Sequence, residues 1–547
     1  MEAVMAIAHI LRHEGVEYLF NFPDNRILEP AATQGIRPLQ ARTERTAVGM
    51  ADGYTRVLNA RKIGVVLTQF GPGIEAAFGG VAAAYADSTP ILIISANLSE
   101  RRYGQVPEFD PVPNYREITK WSARLSHADK IPQMLRYAFT LLRTGRPGPV
   151  LLDLPLEVGR AEVDSAAVEA YVPVAAPRTM ASEADIASCV DALRTARSPV
   201  IHAGQGVLYA EASAELLELA EAMNIPVMTT LPGKGAFPED HRLALGSGGG
   251  SWPDMAQKFA ADADLILGVG CSFADAAYSM PVPSRGKIII QIAHHERDFN
   301  KDVRADILVQ GDARLVLRQI LERVGAGDLS GHPAATERVA ALGAARAAWE
   351  SAWSPKFESE ETPINPYRVF RELMSALDVP NSIITHDAGK PRDQLTPFWK
   401  TVRPRGYIGW GKSTPLGYGL ALAMGAKLAD PGRLAVNVMG DAAIGMSGMD
   451  IETAVRLRIP LLTVVLNNGA MTNYEARYPT ATERYGFKYL SGDYGKVAEG
   501  LGAQPFWVSE PDDLNATFRR ARDVVEAGGV ALVDVRTKEE NDISNHR

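Results

Sequence analysis

The sequence predicts an α/β protein made of three doubly wound, parallel-sheet domains. Three observations carry that reading. At 547 residues the chain is too long for one hydrophobic core, so two to four domains are expected. Apolar strand-like runs alternate with helical segments throughout, which is the signature of parallel sheets with ligands at their strand ends. Two stretches rich in Pro, Gly and Ala break the alternation into three blocks.

The first block spans residues 1–172, with strands expected at Tyr18–Phe20, Gly64–Thr68, Ile91–Ser95 and Val150–Leu154 and a short apolar turn near Ile36–Leu39. Val172–Thr179 is the first linker. The second block, 183–330, has strands expected at Val200–Ala203, Val227–Thr229, Leu265–Val269, Lys287–Ile292 and Ile307–Val309. The connection Gly325–Pro366 contains a helix over Ala334–Trp353. The third block runs over 366–547, with an early strand at Ser382–Thr385. No short repeat is present.

Composition excludes several classes. Apolar residues make up 46%, ordinary for a globular protein, and the net charge of −8 without a Lys/Arg block argues against nucleic acid. Cys189 and Cys271 are too few for a disulfide framework or a zinc site and suit a reducing cytoplasm. The opening M-E-A-V-M-A-I-A-H-I-L-R-H reads as an amphipathic helix too polar for a secretory signal. No run of about 18 uncharged apolar residues is present, so no membrane span is expected.

The most informative pair is Asp441 and Asn468. Leu434–Met439 reads as a buried strand broken by Gly440-Asp441. A helix is expected to start at Ser447, with Asp450 completing a capping box. Pro460 ends that helix, and Leu461–Leu466 is a second strand. In one βαβ unit the parallel strands open on the same sheet edge, delivering a carboxylate and an amide oxygen beside a helix N-terminus that favours anions. Each residue alone reads as a turn Asp or a capping Asn. Together they suit Mg²⁺ holding a diphosphate, because that ion takes oxygen ligands and accepts phosphate among them.

This segment resembles the thiamine-diphosphate motif, Gly-Asp-Gly followed after a βαβ unit by Asn-Asn, with Ala442 in place of the second Gly. The three blocks resemble the pyrimidine-binding, middle and diphosphate-binding domains of the acetolactate synthase, pyruvate oxidase and oxalyl-CoA decarboxylase group. The resemblance implies thiamine diphosphate and Mg²⁺ as cofactors. It implies metal ligation by Asp441, Asn468 and the carbonyl of Ala470, with Gly440, Ala442 and Ala443 beside the diphosphate.

It also implies roles elsewhere. Glu44, followed by a helix ending in A-D-G-Y-T-R at Ala51–Arg56, would hydrogen-bond the cofactor's aminopyrimidine and promote removal of the thiazolium C2 proton. The usual Gln after this Glu is Arg45. Gly71 and Pro72, from G-P-G at 71–73, would lie against the pyrimidine ring, with Phe70 replacing a small residue. Leu416 would support the cofactor in its V shape. Gly389 and Lys390 stand where relatives carry residues beside the diphosphate, and a solvated loop lysine is an equal reading of Lys390. Asn25 after Pro23-Asp24 is a substrate-facing candidate. Gln105 and Glu108 fall near the place of a Phe-Gln-Glu signature, which here reads Val106-Pro107-Glu108.

The second block carries Gly204-x-Gly206 and Gly268-x-Gly270, a weak nucleotide signal. The arginine-bearing loop that holds FAD in acetolactate synthases reads G-C-S-F-A-D over 270–275, without arginine, so FAD is not expected. The tryptophan that selects the second 2-oxo acid falls at Arg477. The resemblance implies a lyase or carboligase that decarboxylates a 2-oxo acid and protonates or transfers the acyl-anion equivalent. An acyl-CoA enzyme, such as an oxalyl-CoA decarboxylase or 2-hydroxyacyl-CoA lyase, is the second reading, supported by S-G-M-D-I-E-T at 447–453. A non-catalytic binding module of the same fold is the third. The implied assembly is at least a homodimer, with a homotetramer expected, because the first block of one chain faces the third block of another.

Overall fold

The computed structural model describes residues 1–105, 108–276, 279, 281–325 and 333–544. The end of the second block at 330 lies outside them. Three six-stranded sheets follow one another, and every strand pair in them is parallel.

The first sheet comprises β1 Tyr18–Phe22, β2 Arg37–Gln40, β3 Gly64–Thr68, β4 Ile91–Ala96, β5 Trp121–Arg124 and β6 Val150–Leu154, in the order β2-β1-β3-β4-β6-β5. The central strands are buried along their length, as sheets covered on both faces require. The expected turn near Ile36–Leu39 is instead edge strand β2. Its Pro38 is tolerated because β2 pairs only with β1.

The second sheet comprises β7 Pro199–Ala203, β8 Val227–Thr230, β9 Ala244–Gly248, β10 Leu265–Val269, β11 Ile288–Ala293 and β12 Ile307–Gln310. Its order, β12-β11-β10-β7-β8-β9, is the dinucleotide-fold order in which direction reverses between β7 and β10. Val172–Thr179 has no helix or strand, and the connecting helix spans Pro333–Phe357.

The third sheet comprises β13 Ser382–His386, β14 Tyr407–Ile408, β15 Leu434–Gly440, β16 Leu462–Asn467, β17 Gln504–Val508 and β18 Ala531–Arg536, in the order β14-β13-β15-β16-β18-β17. Counted within its own block, this repeats the order of the first sheet.

The first and third blocks pack directly together within one chain. The helix Glu44–Val57 lies along the helix Tyr418–Ala429. Glycines make the approach possible: a Cβ at Gly53 would lie 2.3 Å from the Leu422 carbonyl, and one at Gly425 would lie 2.1 Å from the Met50 carbonyl. Arg56, fully buried, joins the layers by bonding Asp52 at 3.0 Å and the Gly409 carbonyl at 3.1 Å, with Asp87 at 3.6 Å. The A-D-G-Y-T-R signature is therefore an interface between blocks as well as a motif. Among the described residues no helix is long and apolar enough to cross a membrane.

Candidate active site

β15 and β16 are adjacent and parallel, with Gly440 opposite Leu466. Asp441 and Asn468 therefore leave the same sheet edge side by side. Asp441 Oδ1 accepts the Ala442 N–H at 2.8 Å, and Oδ2 accepts the Gly469 N–H at 2.7 Å. Asn468 Oδ1 accepts the Ala470 N–H at 2.9 Å, and its amide donates to Thr472 Oγ1 at 2.8 Å. These bonds fix both oxygens while leaving further lone pairs on each.

Burial raises the Asp441 carboxyl above its ordinary value, against the neighbouring N–H donors that lower it. A buried carboxylate beside a fixed amide oxygen fits a hard divalent cation, which would offset that desolvation. Among the described residues no group of three or more His, Cys, Asp or Glu forms a metal cluster, and a site with one carboxylate needs none.

The helix after β15 begins at Asp441, not at Ser447 as the capping-box pattern suggests. It runs Asp441–Ser447 and passes through a 3₁₀ turn into Ile451–Leu457. Gly440 is its N-cap, Ala442 and Ala443 form its first turn, and that turn starts beside the carboxylate, which accepts the Ala442 N–H. Asp450 stands at the N-cap of Ile451–Leu457 but makes no side-chain capping bond to its backbone. It ties the third block to the first instead, accepting the Arg42 N–H at 2.8 Å and the Thr46 hydroxyl at 2.7 Å.

On the first block, Glu44 opens its helix and is buried, with Thr43 as N-cap. Burial raises its carboxyl above the usual range, and its own backbone N–H counteracts this in part. A Cβ at Gly73 would lie 3.2 Å from Glu44 Oε1, so the G-P-G loop lies against the carboxylate. Gly71 caps the helix Pro72–Ala86 at φ +56°, with Pro72 in its first turn. Arg45 donates to the Leu416 carbonyl. Gly417, next in the chain, is packed so that an added Cβ would meet Ser447 Oγ at 2.9 Å and the Ala443 carbonyl at 3.1 Å. Arg45 thus joins the first block to the turn at Leu416 and Gly417, which packs on the helix that Asp441 starts.

Four other candidates make contacts of their own. Asn25 is not turned outward: its amide donates to the Thr68 and Ile94 carbonyls at 3.0 and 3.2 Å, and its Oδ1 accepts the Ile27 N–H at 3.1 Å. It fastens the ends of β3 and β4, because a buried amide requires all its partners. Gln105 is exposed and donates to the Arg101 carbonyl at 3.1 Å, which does not bring it to Glu44. Val106 and Pro107 lie outside the described residues. Gly389, at φ +83°, caps the helix Lys390–Leu395. Lys390 reaches the C-terminal segment, where Nζ donates to the Asn541 carbonyl at 2.6 Å near Glu540 and Asp542.

Two groups escaped the sequence reading. Asp387 follows β13 and is fully buried, and desolvation pushes its carboxyl up to about 6. An acid directly after a parallel strand is the signal that found Asp441 and could have found this one. Lys412 borders a cavity of about 770 Å³ between the three blocks, lined among others by Gly204, Gly270, Trp252, His294 and Arg146. Burial, with Arg146 and Lys301 nearby, pushes Lys412 down to about 8. The Gly204-x-Gly206 pair there has a packing reason: added Cβ atoms would lie 2.3 and 2.7 Å from Gly270.

Comparison with known proteins places all three blocks in one family. Residues 1–114 match the thiamine pyrophosphate enzyme N-terminal TPP binding domain, 186–320 the central domain and 387–535 the C-terminal TPP binding domain. A probable acetolactate synthase large subunit of Methanocaldococcus jannaschii is 31% identical over 95% of this chain and 90% of its own length. The acetolactate synthase isozyme 3 large subunit of Escherichia coli is 30% identical over 97% of this chain and 93% of its own. The mitochondrial acetolactate synthase catalytic subunit of Aspergillus candidus is 30% identical over 96% of this chain and 79% of its own.

Proposed function

The chain belongs to the thiamine-diphosphate-dependent enzymes of the acetolactate synthase group, and from that premise we propose that it is a carboligase acting on a 2-oxo acid. The observation that carries this reading is the presence of two unlike buried carboxylates, one in the first block and one in the third. Asp441 is fixed beside the Asn468 amide oxygen, and Glu44 is buried against the G-P-G loop.

Thiamine diphosphate, when bound, supplies a carbon nucleophile and an electron sink for decarboxylation. Asp441, Asn468 and the Ala470 carbonyl would hold Mg²⁺ and, through it, the diphosphate. Gly440, Ala442, Ala443 and Gly389 would border that end. Gly71, Pro72 and Leu416 would border the rings. Glu44 holds a proton at its carboxyl more firmly than an exposed glutamate does, which suits a group that must donate one near neutral pH. That carboxyl is buried.

The acceptor and the assembly belong to the same proposal: a small 2-oxo acid or aldehyde as partner, and at least a homodimer. FAD has no place in it, because the loop over 270–275 offers no arginine. The cavity bearing Lys412 and Arg146 favours a second reading, a substrate with an anionic nucleotide tail such as a 2-hydroxyacyl-CoA.

The deciding experiment follows CO₂, aldehyde and ligated product together over a panel of 2-oxo acids and 2-hydroxyacyl-CoAs. Mass spectrometry of co-purified nucleotide accompanies it. CO₂ with a 2-hydroxy-3-oxo acid product supports the carboligase. Turnover confined to the CoA substrates, with ADP or CoA co-purifying, replaces it by the second reading.

A further inference from the structure

Two loops flank the Asp441–Asn468 pair, and one segment holds both. The first loop follows β16. Its Gly469 N–H is bonded to Asp441, and its Ala470 forms an antiparallel bridge with Tyr489. The Met471 N–H donates to the Lys488 carbonyl at 2.7 Å, and the Leu490 N–H donates to the Gly469 carbonyl at 2.8 Å. Residues 488–490 are thus the rail on which Gly469–Met471 lies. The second loop follows β13. Its helix Lys390–Leu395 brings Pro391 against the N-cap of the Asp441 helix, 3.9 Å from where a Cβ on Gly440 would stand.

The holding segment is 539–544, beyond β18. Glu539 accepts the buried Lys488 ammonium at 2.9 Å, which also donates to Glu475 at 2.6 Å. The Glu540 carbonyl accepts the Gln394 amide at 2.9 Å, and the Asn541 carbonyl accepts Lys390 Nζ at 2.6 Å. Three consecutive residues therefore each grip one of the two loops. The segment is anchored in turn. The buried Glu540 carboxylate accepts Lys356 at 2.8 Å and Asn365 at 3.3 Å, and the Tyr367 hydroxyl donates to the Asp542 carbonyl at 2.8 Å. Ser544 Oγ accepts Trp349 Nε1 at 3.1 Å and donates to the Trp252 carbonyl at 2.8 Å. Both loops, the segment and the Asp441–Asn468 pair belong to the third block of one chain, so no contact with the first block enters.

A backbone carbonyl that serves as a metal ligand has no rotamer to adjust. Its place is set by the segment it pairs with, as the partners behind any ligand set that ligand. A charge-assisted bond to a buried ammonium is a stiff way to fix such a segment.

We propose that Glu539, acting through Lys488, is a positioning residue for the Ala470 carbonyl, while Glu540 and Asn541 hold the opposite loop beside Gly440, so that residues 539–541 set the affinity of the metal and diphosphate edge. This positioning rests on the reading of Asp441, Asn468 and Ala470 as the Mg²⁺ ligands. By linkage, Mg²⁺ and thiamine diphosphate stabilise the segment in return.

The test uses the full chain as wild type, Glu539→Gln, Lys488→Gln, their double variant, Gln394→Met and Asp441→Ala. Calorimetry at saturating thiamine diphosphate reads Mg²⁺ affinity, and quenched NMR reads hydrogen–deuterium exchange at C2 of the bound cofactor. Hydrogen-exchange mass spectrometry reads peptides covering 537–544 with and without Mg²⁺ and thiamine diphosphate. Glu539→Gln and Gln394→Met should bind Mg²⁺ about 10-fold more weakly, as loss of a partner behind a ligand does. Exchange at C2 in the bound fraction should stay at the wild-type rate. Glu539→Gln should add nothing in the Lys488→Gln background, because it acts through that lysine. The wild-type peptides should exchange more slowly when loaded, and Glu539→Gln should lose that slowing. Glu539 is partly exposed, so its change gives the reading even where the buried Gln394→Met fails to fold. Unchanged Mg²⁺ affinity in Glu539→Gln, C2 exchange slowed along with affinity, a full effect in the Lys488→Gln background, or no slowing in the wild-type peptides overturns the positioning. A flat Asp441→Ala isotherm then keeps the ligand reading intact. Mg²⁺-dependent binding retained in Asp441→Ala overturns the ligand reading itself.

Discussion

The first and third blocks share one strand order but arm their sheet edges differently. In the first, the edge carries Glu44, a carboxylate in an apolar setting whose neighbours are Gly73 and the helix Glu44–Val57. In the third, the edge carries Asp441, whose two oxygens each accept a backbone N–H beside a fixed amide oxygen. Burial raises both acids, but only Asp441 is surrounded by several N–H donors that favour its charged form. One scaffold thus builds a proton-holding edge and an anion-and-metal edge. The loops decide which, and the strand order does not.

The largest break in that comparison comes from Asp441→Ala. Removing partners behind a metal ligand already costs about 10–100-fold in affinity, so removing the ligand itself should abolish Mg²⁺-dependent cofactor binding. Calorimetry with and without Mg²⁺ checks this, and the Asp441→Ala isotherm should be flat where wild type saturates.

Next is the joint between the two blocks. Arg56→Met leaves Asp52 and Asp87 buried without their cation, which costs about 3–5 kcal/mol. Denaturant unfolding should show the loss as a lowered midpoint. A loss below 1 kcal/mol would mean the blocks are held by their helix packing alone.

The smallest effect lies at the cavity. Lys412 is pushed down to about 8 when folded, whereas an unfolded lysine keeps its proton to about 10.4. Between those values the unfolded chain binds more protons, so this group makes stability rise as pH rises from about 8 toward 10. The gain is about 1 kcal/mol, below the full shift because the side chain keeps some solvent contact. Lys412→Met should be more stable at pH 7 and should lack the rise. Melting curves across that range check both.

The strands at Gly64–Thr68, Val150–Leu154 and Leu265–Val269 were legible to the residue, because every position in them is buried and the apolar run has no gaps. Edge strands β2, β5, β9, β14 and β17 were not, since one free side admits Arg37, Pro38 or an exposed Trp507. β18 is hidden by Asp534, a buried acid matched to Asn467 at 2.9 Å that no local pattern reveals. In the site, Asp441 and Asn468 could be read because one βαβ unit carries both. The Ser447-x-x-Asp450 pattern misled because Asp450 finds its partners in Arg42 and Thr46, about 400 residues away. Asp387 was missed for the same reason: its donors Gly417 and Gly419 meet it only through the fold.

The central claim is that the two edges divide the work, with Glu44 supplying proton chemistry and Asp441 supplying attachment. Glu44→Gln separates them, because the amide is nearly isosteric and lacks only the acid function. Hydrogen–deuterium exchange at C2 of bound thiamine diphosphate, with saturating Mg²⁺, is the measurement. The account predicts wild-type affinity and exchange slowed by about 10²–10⁴-fold. Exchange as fast as wild type, or loss of binding with exchange intact in the bound fraction, would contradict it.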